Sequence, residues 1–257
     1  MVEIENVSFS YGSKAVVSNV SLSIGGGELV VLLGANGAGK STLLKLVSGY
    51  LNPSAGSVFF DGEKIASMPA GKLARRRSVL EQECALSFDY SVEETVKLGG
   101  FSRSAGEMAR LSSDAKSALE KVGLGGFENR RYAELSGGEK RRVQLARALC
   151  QLGGDVSKKL LLLDEPSAGL DPAHAHAAMR AARGAADEGA SVCAVLHDPN
   201  LAAAYADKIA LLKNGALVGI FPSREIFDAG LMSKVYGAEC EIIPCGQRKF
   251  ICFPPQK

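Results

Sequence analysis

The run Gly34-Ala35-Asn36-Gly37-Ala38-Gly39-Lys40-Ser41-Thr42 constrains this chain more than any other part of it. It fits the spacing Gly-x-x-x-x-Gly-Lys-Ser, follows the apolar residues 29–33, and precedes a helical pattern with Leu43, Leu44 and Val47 on one face. Small residues in that order let the backbone curl until several N–H groups face one point, and the helix that follows adds its partial positive charge there. Such a point suits a phosphate. Lys40 is placed to reach the β- and γ-phosphates of a nucleotide, and the Ser41 hydroxyl to ligate Mg²⁺.

The rest of the chain is read around that loop. Residues 2–9 and 16–24 are expected as strands, 25–27 as a turn and 28–33 as a buried strand. A helix is expected over 40–50, stopped by Gly49 and Asn52-Pro53, and 57–60 before Asp61-Gly62 suits one arm of a hairpin. From about residue 90 to 153 strand signals vanish, and 91–99, 105–122 and 137–151 read as helices. Alternation then resumes: strand 160–163, helix 172–187, strand 191–196, helix 200–206, strand 209–212. Strands so uniformly apolar are expected in a parallel sheet covered on both faces. The expected outline is an α/β core interrupted by an all-helical insertion.

Two further motifs carry chemistry. The four leucines 160–163 run into Asp164-Glu165, which puts two carboxylates at the carboxyl edge of the sheet, where ligands of open α/β sheets bind. Alone, the pair also suits a helix-starting turn. Beside a phosphate loop it suits Asp164 as a Mg²⁺ partner and Glu165 as general base for water attacking the γ-phosphate. Leu135-Ser136-Gly137-Gly138-Glu139 opens a long helix carrying Arg141, Arg142, Gln144 and Arg147. Its N–H groups suit an anion, while Ser136 and Glu139 also have the spacing of a capping box.

With the three motifs in this order, the chain resembles the nucleotide-binding subunits of ABC transporters. The resemblance spans nearly the whole chain. It implies an α/β fold: a P-loop NTPase (RecA-like) core with an N-terminal antiparallel β-subdomain and an inserted all-helical subdomain. One domain over 1–257 is expected, with the core from 1–87 and 155–257 and the helical subdomain from 88–154. In that family the segment Ser136-Gly137-Gly138-Glu139 is the signature motif, which clasps ATP held by an opposite subunit. Tyr11 stands where the family has an adenine-stacking aromatic, although an ordinary strand aromatic reads the same way. Gln82 matches the family glutamine that touches Mg²⁺ beside the membrane partner; Glu81 precedes it where the family often has Pro. Ser167-Ala168-Gly169-Leu170-Asp171 resembles the loop that contacts the other subunit. His197 resembles the switch histidine on the γ-phosphate, in His197-Asp198-Pro199-Asn200 where the family commonly has Leu third. Pro199 removes a backbone N–H and stiffens that loop.

The resemblance further implies ATP and Mg²⁺ as cofactors and a head-to-tail homodimer with two shared ATP sites. Two separate membrane permease subunits would dock on the strip 83–94, a substrate-binding protein would act indirectly, and the chain would lie on the cytoplasmic face of the membrane. Composition agrees. No run approaches the roughly 18–20 apolar residues that span a bilayer. The acidic opening Met1-Val2-Glu3-Ile4-Glu5 does not suit a signal peptide. Six scattered cysteines without a Cys-x-x-Cys pair suit a reduced compartment, and 30 basic against 28 acidic residues do not suit a nucleic-acid binder. Three other features read as ordinary: His174 and His176 are two apart and poorly placed as a metal pair, Arg75-Arg76-Arg77 suits a solvated helix end, and Cys240, Cys245 and Cys252 suit buried or half-buried thiols.

The strip from Leu86 to Glu94, the run Arg142 to Arg147, the run Val195 to Asp207 and Val235-Tyr236-Gly237 are similar to ATP-binding subunits of hemin importers. These sit in a broader group importing iron-siderophores and cobalamin, which is the alternative substrate class. A soluble ABC ATPase of translation or DNA repair is the alternative of another kind. It would be expected to carry two cassettes or long heptad coiled coils, which this chain lacks.

Overall fold

The structure, a computed structural model, describes residues 1–81, 89–103 and 105–255. Among these, the N-terminal strands β1 (Val2–Tyr11) and β2 (Lys14–Ile24) pair antiparallel, and β3 (Leu29–Leu33) enters the centre of a second sheet. Helix α1 (Lys40–Val47) follows, then β4 (Ala55–Phe60) and the short β5 (Glu63–Lys64), joined by a turn with both Asp61 and Gly62 at positive φ. That is the mirror-image turn that matches strand twist, and it completes the expected hairpin with an arm of only two residues.

Helix α2 (Ala70–Arg76) leads without a break into β6 (Arg77–Leu80). The described residues from there to β7 (Leu160–Asp164) contain the helices α3 (Val92–Lys97), α4 (Ala105–Met108), α5 (Leu111–Lys121) and α6 (Gly137–Leu152). After β7 come α7 (Pro172–Asp187), β8 (Ser191–Val195), α8 (Pro199–Tyr205), β9 (Lys208–Lys213), β10 (Ala216–Pro222), α9 (Ala229–Tyr236) and the hairpin β11 (Glu241–Cys245) and β12 (Arg248–Cys252).

Among the described residues, the large sheet has the order β10-β9-β3-β8-β7-β6; its strands pair parallel except that β10 runs antiparallel to β9. The second sheet has the order β2-β1-β4-β5. The parallel strands deal their side chains alternately to two cores. Val30, Leu32, Leu160, Leu162, Cys193, Val195, Ala210 and Leu212 pack with α1 and the antiparallel sheet. Leu29, Val31, Leu33, Leu161, Leu163, Val192, Ala194 and Leu211 pack with α6, α7 and the helical insertion. Both faces are covered, so a strand of four consecutive leucines is what this position demands. No described helix is long and apolar enough to cross a membrane.

Three expectations are corrected. Cys245, expected to be buried or half-buried, is exposed at the end of β11, where its side chain turns to solvent. The helix expected over 105–122 is two helices, because the Arg103 guanidinium takes the Glu107 carbonyl and the Asp114 carboxylate, at 3.3 and 2.6 Å, across the break between α4 and α5. The run Arg75-Arg76-Arg77 ends α2 with Arg75 exposed, as expected, but Arg76 and Arg77 are partly covered rather than solvated. Arg75 donates to the Ser102 carbonyl, Arg76 pairs with Asp61 and lies over the Phe60 ring, and burial lowers the Arg77 pKa.

Candidate nucleotide site

The strand order puts β3, β8 and β7 side by side, so their carboxyl ends open onto one edge. β3 delivers Gly34, β7 delivers Asp164 and Glu165, and β8 between them leads into His197. Registers hold the ends level: Leu32 pairs with Val195, and Val195 with Asp164. The Glu165 N–H donates to the Val195 carbonyl at 3.2 Å, which extends that alignment by one residue.

An open cleft of about 440 Å³ lies there, lined by Val16, residues 36–42, Glu165 and His197. Gly34, Gly37 and Gly39 all have positive φ. At Gly34 an added β-carbon would stand 2.2 Å from the Leu212 carbonyl oxygen, and at Gly39 2.5 Å from that of Val16. Close backbone approach therefore requires glycine at both places, and the loop ends where α1 begins.

Lys40 is 5% exposed and donates to the carbonyls of Gly34 and Ala35, at 2.7 and 3.0 Å. Burial lowers its pKa, while the nearby charges of Glu165 and Asp164 oppose the shift. The Ser41 hydroxyl donates to Asp164 Oδ1 at 2.9 Å. Burial raises the Asp164 pKa, the Ser41 hydrogen bond opposing it and Glu165 adding to it. A hard cation between these groups would favour the ionised carboxylate. The pair of a hydroxyl and one buried carboxylate suits Mg²⁺, which takes few protein oxygens and completes its octahedron with water and phosphate.

Among the described residues, Glu165 is one of five non-glycine residues at positive φ, at 52°. For such a residue this conformation costs about 1–3 kcal/mol and persists only where the surroundings enforce it. Its carboxylate Oε1 lies 2.6 Å from His197 Nε2, with the Glu165 side chain mostly covered and the His197 side chain 45% exposed.

The signature segment lies elsewhere. Ser136 caps α6 in a reciprocal box: its N–H donates to Glu139 Oε2 at 2.8 Å, and the Glu139 N–H to Ser136 Oγ at 3.3 Å. Hydrogen bonds from the Ser136 side chain and N–H depress the Glu139 pKa. Ser136, Gly137, Gly138 and Glu139 do not line the cleft of their own chain; the start of α6 instead faces the turn at Gly169 and Leu170. Asp171 caps α7, accepting from the His174 N–H at 2.9 Å and lying 2.7 Å from its ring. His176 contacts the Tyr205 hydroxyl instead, so the two histidines part as expected. Tyr11 is half exposed, edge-on to Phe9 at 4.9 Å, and is not among the residues lining the cleft. Gln82 and the strip's residues 83–88 lie outside the described residues. Val16, a strand residue with no motif to mark it, and the backbone contacts made by Arg141 carry no local sign in the sequence.

A glycine loop between a buried strand and a helix, with lysine, serine and a strand-end carboxylate meeting across it, defines a P-loop nucleotide-binding protein. A family model described as ABC transporter matches residues 17–168. The hemin import ATP-binding protein HmuV of Pseudomonas entomophila is 40% identical over 248 residues, 96% of this chain and 97% of that one. HmuV of Deinococcus radiodurans is 42% identical over 217 residues, 84% of this chain and 82% of that one. Among solved structures, an ATP-binding subunit of an ABC transporter superposes with a TM-score of 0.77 at 26% identity, covering 93% of this chain and 95% of its own. A bacterial ABC transporter cassette solved as a dimer gives 0.76 at 28% identity, covering 88% and 100%. The chain belongs to the ABC transporter family, as an ATP-binding subunit with the RecA-like P-loop fold and the ATPase architecture of that family.

Proposed function

We propose that this subunit drives import of hemin by binding and hydrolysing Mg²⁺-ATP at the cytoplasmic face of the membrane, as a head-to-tail homodimer docked on two permease subunits. The observation that carries the chemistry is the meeting of Lys40, the Ser41–Asp164 pair and the Glu165–His197 pair on one sheet edge. The hemin reading rests on the HmuV relatives, 40% and 42% identical to this chain.

The loop from Gly34 to Thr42 wraps the triphosphate with backbone N–H groups, and Lys40 exchanges its carbonyl partners for phosphate oxygens. Ser41 and Asp164 would hold Mg²⁺, with Gln82 as a further ligand, and the ion would supply neutralisation of phosphate charge. Glu165 takes the proton of the attacking water, and His197, held at 2.6 Å, fixes the carboxylate and reaches the γ-phosphate. Tyr11 covers the adenine. Ser136, Gly137, Gly138 and Glu139 of the opposite subunit close the site, and Asp171 lies at the contact between subunits. The unit is one domain over 1–257, with the core from 1–87 and 155–257 and the helical part from 88–154.

Glu165→Gln is expected to keep ATP binding while turnover falls by about 10²–10⁴-fold, the usual contribution of a general base. Wild-type turnover in that variant would remove Glu165 from the role. For the cargo, the subunit is reconstituted with its permease and binding protein in lipid. ATPase stimulation by hemin is the expected result; stimulation by a ferric siderophore or cobalamin instead would reassign the substrate within the metal-chelate class.

A further inference from the structure

Glu165 stands in an uncommon backbone conformation, and one side chain holds it on both sides. Arg141, in the second turn of α6, donates from Nη2 to the carbonyl oxygens of both Asp164 and Glu165, the latter at 2.8 Å. The Asp164 carbonyl belongs to the peptide plane before Glu165, and the Glu165 carbonyl to the plane after it. Fixing the two planes fixes φ and ψ at Glu165, where φ is 52°. Through Nη1 the same guanidinium donates to the Glu81 carbonyl at 2.6 Å, at the exit of β6. Three carbonyls from two strand ends thus converge on a planar fork carried by the helix that begins at Ser136.

We propose that Arg141 is a positioning residue for hydrolysis: it aims the Glu165 carboxylate by clamping both flanking peptides, and it ties that carboxylate to the segment leaving β6. The inference rests on the reading of Glu165 as general base. It extends that reading, since the clamp makes the direction of the base depend on where α6 stands relative to the sheet. An arginine suits the task because its donors sit in a rigid fork, whereas a lysine offers a single mobile charge and glutamine one short amide. The half-buried guanidinium is held beside carboxylates, and burial lowers its pKa while Asp164 and Glu165 oppose the shift.

The test compares Arg141→Ala, Arg141→Lys and Glu165→Gln in the full chain, at protein concentrations where wild type hydrolyses ATP. Three quantities are measured: kcat, affinity for a fluorescent non-hydrolysable ATP analogue, and melting temperature. For Arg141→Ala the expected result is a loss of kcat of about 10–100-fold, the scale on which an ångström of misplacement is felt, with affinity unchanged within about twofold. Arg141→Lys should regain several-fold of that loss, and should itself show lowered kcat at unchanged affinity if the alanine variant does not fold. Wild-type kcat in Arg141→Ala, a parallel fall of kcat and affinity, or a lysine variant no better than alanine would each overturn the clamp. Glu165→Gln separates the two readings. If it abolishes turnover while Arg141→Ala keeps wild-type kcat, only the clamp fails; if it turns over normally, the assignment of the base fails and the clamp with it.

Discussion

A single methyl group tests the phosphate loop. At Gly34 it would meet the Leu212 carbonyl oxygen at 2.2 Å, with φ already at 151°, so Gly34→Ala is expected to push the loop off the β9 backbone. Nucleotide affinity should fall by at least tenfold, as read by titration with a fluorescent ATP analogue; Gly37→Ala, whose added atom meets nothing within 4 Å, serves as the control for φ strain alone. The thiols offer a second residue-scale measurement. Burial pushes Cys193 up to about 12 and Cys150 up to about 11, whereas Cys245 is exposed. At pH 8 only about one in 10⁴ and one in 10³ of the buried pair would be thiolate. Maleimide labelling followed by peptide mapping should therefore mark Cys245 within minutes and leave Cys193 and Cys150 unmodified until the protein unfolds.

At the scale of elements, the hairpin β11–β12 is pinned to α8 by one side chain. Asn200 Nδ2 donates to the Ile251 carbonyl at 3.0 Å, and the Ile251 N–H donates to Asn200 Oδ1 at 2.8 Å. Asn200→Ala leaves both backbone groups of a buried residue unpaired, which is expected to cost about 1–3 kcal/mol in urea denaturation. The same elements show what the sequence could and could not reveal. The Gly34–Thr42 loop, the leucine strand ending in Asp164 and the Ser136 cap were legible because each follows from a fixed chemical demand: small residues near phosphate, apolar strands under two layers, a hydroxyl at a helix start. Helix α2 and strand β6 were not, because a seven-residue helix passes into a four-residue strand with no turn residue between them. β10 mixes half-buried and exposed positions without alternation, and α9 is eight residues long. The Arg141 contacts were illegible for another reason. They join residues 60, 23 and 24 positions apart, and arginine in a helix carries no local sign of which carbonyls it will meet.

For the whole molecule, the decisive arrangement is that the cleft and the start of α6 stand apart in one chain. If the start of α6 closes the cleft of a second copy, as proposed above, ATPase activity per subunit should rise with protein concentration. The check is a dilution series with the oligomeric state followed by light scattering; constant specific activity in a monomeric sample would overturn the shared site. Charge fits the same proposal, because anion sites built from loops of backbone N–H groups need no basic face, and a formal net charge of +2 suffices. The strands raise a last point about how such a chain tolerates change in length. Where both faces of a sheet are equally greasy, hydrophobicity does not tell one register from the next: Leu160 to Leu163 would bury as well after a slip of one residue. A slip would still advance Asp164 and Glu165 by about 3.3 Å and turn them to opposite faces. The reading frame of the central strands is therefore kept by the groups at their ends, and a one-residue deletion there should leave a folded protein in which Asp164 and Glu165 no longer line up with Ser41 and His197.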